Sequence, residues 1–186
     1  MDRRQQKTRT AIYKALTELL KKKRFEDITV RQIIDEANIG RSTFYSYFET
    51  KDQLLLEMCN ELFAHVLSDS LLPEKSHDFS TDHEDSGALM EHILWHIKDH
   101  EANIRSIMNG ESEKIFTKYF SAYLENTFGD RITNLNIDVS DEFKKQFFIG
   151  SFTNTVKWWI STGLKQKPKD IIDDYMKCLN KGKNEQ

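Results

Sequence analysis

The chain has 186 residues, of which 38% are hydrophobic and 31% charged, with 2 prolines, 7 glycines, 2 cysteines and a formal net charge of −3. That length holds one ordinary domain, or a small domain joined to a larger one, and excludes both a peptide and a multidomain enzyme. The scarcity of turn formers argues for an all-α chain, and no run approaches the roughly 20 consecutive apolar residues that span a bilayer.

The N-terminal stretch "MDRRQQKTRT" leads into no apolar signal region, so the expected location is cytoplasmic. Cys59 and Cys178 lie far apart and form no CxxC pair, which suggests neither a disulfide framework nor a cysteine zinc site. Charge is unevenly spread. Residues 1–48 hold eleven Lys and Arg against six Asp and Glu, a net of +5, which leaves −8 for the remainder. A basic head on an acidic body points to a polyanionic partner at the head.

In chain order, Ile12, Ala15, Leu16, Leu19 and Leu20 recur at helical spacing and predict an amphipathic helix from Arg4 to about Lys22. Its closing lysines suit the negative end of the helix dipole. In "EDITVRQIIDEAN", Thr29 is placed as an N-cap, with Val30, Ile33, Ile34 and Ala37 on one side of a short helix. Asn38 tolerates the left-handed conformation that stops a helix, and Gly40 is read as letting the chain turn again.

The next stretch, "RSTFYSYF", predicts a helix from about Arg41 to Phe48. Phe44, Tyr47 and Phe48 share one face; Ser42, Thr43 and Ser46 point elsewhere, with Arg41 at the N-terminal end. The second helix of a helix-turn-helix presents such residues to base edges in the major groove, where short polar side chains allow close approach and an arginine can pair with guanine.

These residues carry a resemblance. "TVRQIIDEANIGRSTFYSYFETKDQLL" resembles the helix-turn-helix signature of the tetracycline-repressor-like (TetR/AcrR) transcriptional regulators, through Thr29, Ile33, Ala37, Ile39, Thr43, Tyr45, Phe48, Lys51 and Leu54. Asn38 stands where a glycine is usual, and Tyr47 where a histidine is common. The resemblance implies a three-helix DNA-binding head over residues 1–50 and a larger helical domain for effector binding and dimerisation over 51–186, about nine helices in all. It further implies that Thr29, Tyr45, Tyr47 and Lys51 hold the DNA backbone while Arg41, Ser42, Thr43 and Ser46 face bases. Packing is the alternative for Tyr45, and capping for Thr29, which can do both.

Beyond the head, Leu54, Leu55, Met58, Leu62 and Val66 predict a helix from Lys51 to about Leu72 that joins head to body. "PEKSHDFSTDHEDSG" breaks the periodicity and is assigned as an exposed, mobile loop. Further helices are expected near 87–100, 101–109, 112–128, 140–164 and 168–181. Within "DEFKKQFFIGSFTNTVKWWISTGL", apolar residues occur around much of the circumference, so this helix must be covered from two sides. A homodimer, or a larger monomer core, would cover it. The resemblance implies the former, with Phe147, Phe148, Trp158, Ile171, Ile172, Tyr175, Met176 and Leu179 at the interface.

For an effector, the candidate lining is Trp95, Phe116, Tyr119, Phe120, Tyr123, Phe152 and Trp159, a set that an ordinary core would also contain. His92, His96 and His100 fall one turn apart; a solvated polar face explains the series as well as a shared metal, and no metal or cofactor is assigned. No GxSxG, GxxxxGK or GxGxxG occurs, which argues against an enzyme. The expected function is that of a homodimeric regulator of double-stranded DNA, most often a repressor in this family, released from a palindromic operator by a small effector. A looser resemblance of the "FFIGSFTNTVKWWISTG" region to regulators of dihydroxyacetone kinase genes implies the alternative, an activator controlled by a protein co-regulator.

Overall fold

A computed structural model describes residues 3–64, 85–108 and 112–180. The described residues form nine α-helices and no strand: α1 Arg3–Leu20, α2 Val30–Ala37, α3 Arg41–Tyr45, α4 Lys51–Ala64, α5 Ser86–Asp99, α6 Glu101–Ile107, α7 Ser112–Thr133, α8 Asp141–Ser161 and α9 Pro168–Asn180. A single 3₁₀ turn, Phe25–Asp27, precedes α2. Most of the proposed loop after Leu72, with His77 and His83, lies outside the described residues, as does the end of the helix expected to reach Leu72.

The stripe read on α1 is its buried face, and α1 packs on α2. Thr29 closes a full capping box: its Oγ1 accepts from the Gln32 amide at 3.3 Å while the Gln32 side chain accepts from the Thr29 amide at 3.0 Å. Asn38 ends α2 in the left-handed region, at φ 51° and ψ 52°, with Ile39 N–H donating back to Ile34 O as in a Schellman turn. Gly40 differs from its reading. Its φ of −77° is open to any residue, and an added Cβ would meet only ordinary contacts, so the turn does not depend on glycine there.

Two helices depart from the sequence-based lengths for local reasons. α3 stops at Tyr45 rather than Phe48, and the Ser46 hydroxyl donates to Thr43 O at 2.7 Å in competition with helical bonding. α7 runs through Gly129 to Thr133, five residues past its expected end, because a glycine inside a helix costs only about 1 kcal/mol and does not oblige it to stop.

By packing, the chain divides into two units, and not at residue 50. The first comprises the residues up to Leu62 together with Ala102–Phe116; the other described residues make the second. Contacts distant in sequence account for the first unit. Arg9 Nη2 pairs with Glu57 at 2.9 Å and Glu61 at 3.1 Å, the Ser106 hydroxyl donates to Lys23 O at 2.7 Å, and the Ser112 amide and hydroxyl both reach Glu26 Oε1. In the second unit α9 packs on α5, with Ile171 and Ile172 buried in the same core as Leu89, Ile93 and Ile97, and Tyr175 packs on Phe152 of α8.

Candidate nucleic-acid interface and body cavity

The opening helices build a surface with two characters. Phe44 and Phe48 are fully buried, their ring centroids 5.8 Å apart, and Tyr13 packs on Phe48 at 5.9 Å. Burial pushes the Tyr13 hydroxyl up to about 12 even though the Arg9 guanidinium donates to it at 2.8 Å. These rings hold α3 so that its other side faces outward. Arg41, Ser42, Tyr45 and Ser46 are exposed, Thr43 and Tyr47 half-buried.

Tyr45 is not a packing residue. It is 45% exposed, stands edge-on to Phe44, and carries the Arg41 guanidinium over its ring at 5.7 Å. This cation–π contact orders a side chain that would otherwise lose rotamer freedom on reaching a base. A recess between α2 and α3 is lined by Arg41 and Tyr45 with Val30, Arg31, Ile34 and Asp35. Arg31 was missed from the sequence, where it is only one of the eleven basic residues of the head; the structure pairs it with Asp35 at 3.8 Å, on an arginine almost fully exposed.

Lys51 is a correction. Its ammonium does not point outward for a phosphate but donates to Phe25 O at 2.9 Å, Glu26 O at 3.1 Å and Ile28 O at 2.9 Å, and lies 4.7 Å from the Phe25 ring centroid. All three donors of the group are thereby used on carbonyls of the 3₁₀ turn and of Ile28, the residue that follows it. Lys51 clamps α4 to the segment leading into α2. Arg9, counted in the basic head, is likewise held by α4 carboxylates.

The aromatic effector lining read from sequence does not form one site. Phe116 belongs to the first unit, while Phe120 packs on Phe152 at 6.4 Å, Tyr119 stacks on Tyr123 at 6.5 Å, and Trp159 is fully buried with Nε1 donating to Gln166 O. Trp95 Nε1 donates to Glu91 one turn away. A cavity of about 330 Å³ does exist in the second unit, and of the predicted residues only Phe152 lines it. Its walls come from the C-terminal half of α7 instead of the N-terminal half: Leu124, Phe128 and Ile132, with Met90, Phe148 and Met176 opposite.

The histidine series also reads differently in three dimensions. His92 and His96 are buried, not solvated, with their Nε2 atoms 2.9 Å apart, so one donates to the other; only His100, at the end of α5, is exposed. Among the described residues no group of three or more His, Cys, Asp or Glu is placed to hold a metal.

Comparison with known proteins decides the family. Residues 12–58 match the model described as "Bacterial regulatory proteins, tetR family", and residues 84–181, about half of the chain, match "Transcriptional regulator C-terminal region" of the same family. The chain belongs to the TetR family of transcriptional regulators. A TetR regulator from Streptococcus agalactiae 2603V has a similar fold, with TM-score 0.73 and 31% identity over 95% of this chain and 96% of that one. The dihydroxyacetone kinase operon activator DhaS superposes with TM-score 0.62 at 19% identity, over 92% and 93% of the two chains, a likeness of fold alone.

By sequence, DhaS of Lactococcus lactis is 33% identical over 63 residues, and the uncharacterized regulator YxbF of Bacillus subtilis 32% identical over 81. Those matches cover 34% and 43% of this chain but only 34% and 21% of the two relatives' lengths. The TetR-family assignment makes the protein a DNA-binding transcriptional regulator and not an enzyme. No described helix is long and apolar enough to cross a membrane.

In this TetR-family chain the residues expected at a dimer interface separate into three groups. Phe147 and Trp158 are each 50% exposed on α8, where Phe143 joins them and the space over Gly150 is open. Ile171, Ile172 and Tyr175 are buried within the single chain, the Tyr175 hydroxyl donating to Phe148 O at 3.0 Å and its ring packing on Phe152; they are core, because the amphipathic face of α9 is covered by α5 and α8. Phe148, Met176 and Leu179 line the cavity.

Proposed function

We propose that this TetR-family regulator is a homodimeric repressor that binds a palindromic operator through α3 and is released when an effector occupies its C-terminal domain. The observation that carries the DNA reading is the outward face of α3: Arg41 and Tyr45 in cation–π contact beside exposed Ser42 and Ser46, over a Phe44–Phe48 anchor. Arg41, Ser42, Thr43 and Ser46 face bases, and Thr29, Tyr45 and Tyr47 meet phosphates; Arg31 adds a cation beside Arg41. One short helix discriminates little, so two copies related by a two-fold axis read two half-sites one helical turn apart. The α8 face of Phe143, Phe147 and Trp158 around an uncovered glycine is an apolar surface suited to a second copy of itself.

Control of DNA binding requires an effector that favours one arrangement of the protein over another. Within the first unit, α4 reaches the 3₁₀ turn through Lys51, and the segment 102–116 reaches the same turn through Ser112 and Glu26. That turn leads directly into α2 and is the place where a shift of either element is felt by the reading head. A second reading, an activator acting with a protein partner, is supported by the 33% identity to DhaS over 63 residues, DhaS being described as a transcriptional activator.

The test is selection of bound duplexes from a random library at moderate salt, followed by sequencing. An inverted repeat is the expected product. Binding that yields no motif and disappears as salt rises would leave only unspecific affinity for polyanions.

A further inference from the structure

Of the apolar residues Val30, Ile33, Ile34 and Ala37 on α2, only Ile33 is buried. Val30 and Ile34, one turn apart, are half-buried and form a wall of the recess between α2 and α3. Tyr45 lines the same recess from α3, with the Arg41 guanidinium over its ring at 5.7 Å. Three charged groups border it: Arg41 from α3, and from α2 Arg31 and Asp35, paired at 3.8 Å with side chains 90% and 68% exposed. The recess, of about 370 Å³, therefore sets an aliphatic wall into a surface of cations and hydroxyls.

From this placement we infer that the recess reads the C5 methyl group of a thymine next to the guanine paired with Arg41, which makes Val30 and Ile34 specificity-determining residues. The inference rests on the reading of α3 as the helix in the major groove. All four bases present donors or acceptors in that groove, but the one aliphatic group there is the thymine methyl. It is the group that an aliphatic wall gains from covering. A phosphate in the same place would bring its charge against Val30 and Ile34 and beside the Asp35 carboxylate, at a cost in desolvation and repulsion. The recess is wider than one methyl group and admits the C5 edge of the base with it. Tyr45 holds the guanidinium at one side of the recess, where its planar fork suits O6 and N7 of guanine. Because Arg41 itself lines the recess, and successive bases of a strand lie about 3.4 Å apart, the thymine and the guanine are adjacent.

The experiment is a parallel selection by the full chain from two random duplex libraries, one containing thymine and one with deoxyuridine in place of thymidine throughout, so that they differ only in the methyl group. The thymine library is expected to yield half-sites with T beside the G whose preference Arg41→Ala relaxes. The uracil library is expected to keep that G and lose the preference at its neighbour. In competition binding, uracil for that thymine in one half-site should weaken the operator about fourfold, the factor equivalent to the ~0.8 kcal/mol of one buried methylene-sized group. Ile34→Ala should reduce this discrimination to below about twofold. Half-sites with no T at that position, an equal preference recovered from the uracil library, or equal binding of the thymine and uracil operators would overturn the inference and leave the regulator reading standing. Recovery of no motif from either library would remove the regulator reading and the inference with it. The comparison of thymine with uracil uses the unaltered protein, so it decides the matter even if Ile34→Ala does not fold.

Discussion

Tyr45 on α3 and Trp158 on α8 are almost equally exposed, at 45% and 50%, yet they sit in opposite surroundings. Tyr45 lies under a guanidinium and among hydroxyls. Trp158 shares its face with Phe143, Phe147 and an open glycine, where a flat surface can take another helix at close range. An exposed ring flanked by cations and hydroxyls suits the stacked, charged surface of a nucleic acid; an exposed ring flanked by rings suits another apolar face. Exposure alone would have put both residues in one class. The neighbours separate them.

The strongest test of that separation is on α8. Burying one such ring contributes about 1.5–3 kcal/mol, and a two-fold axis counts it twice, so Phe147→Glu should weaken a homodimer by about 3–6 kcal/mol. Sedimentation at several concentrations would read the change, and an unaltered association would remove α8 from the interface. The same substitution should leave a single reading head folded.

Lys51→Met comes next. Losing a cation that satisfies three carbonyls should cost the head about 2–3 kcal/mol in urea unfolding. Any loss of DNA affinity should then follow the folded fraction, with the salt slope unchanged. A salt slope reduced by about one, at full stability, would return Lys51 to the phosphates.

Arg41→Ala should act in the reverse sense, costing about 1–3 kcal/mol at the selected operator and relaxing preference at one base position, while stability stays within about 0.5 kcal/mol. Competition binding against single-base operator variants would show it. The smallest effect is expected at Thr29→Ala. Loss of the capping box should lower unfolding stability by about 1 kcal/mol, and a larger deficit in DNA affinity than in stability would mean that Thr29 also touches a phosphate.

Most of the head was legible because its signals are local. Thr29 and Gln32 stand three residues apart, as a capping box requires, and Asn38 follows the last apolar position of α2. The two faces of α3 follow from spacing within about two turns. The body was legible as helices but not as sites. Aromatic content pointed to Phe116, Tyr119, Phe120 and Tyr123 on α7, yet the cavity opens over Leu124, Phe128 and Ile132, since residue type alone does not say which turns of a helix a neighbour packs against and which it leaves uncovered. The histidines misled for a related reason: helical spacing groups His92, His96 and His100 on one face but does not say whether that face meets water.

By itself, then, the sequence determined the all-α class, the helix-turn-helix, its caps and its division into a buried ring face and a polar face, because each depends on residues within one or two helical turns of one another. Only the tertiary structure decided that the Lys51 ammonium closes on carbonyls more than twenty residues away, that residues 102–116 belong with the head, that α9 spends its apolar face on α5 and α8, and that Arg131 stands at the rim of an apolar cavity. These depend on which helix surfaces meet across long stretches of chain. The periodicity of a helix says which of its faces is apolar, and leaves open which neighbour will cover that face.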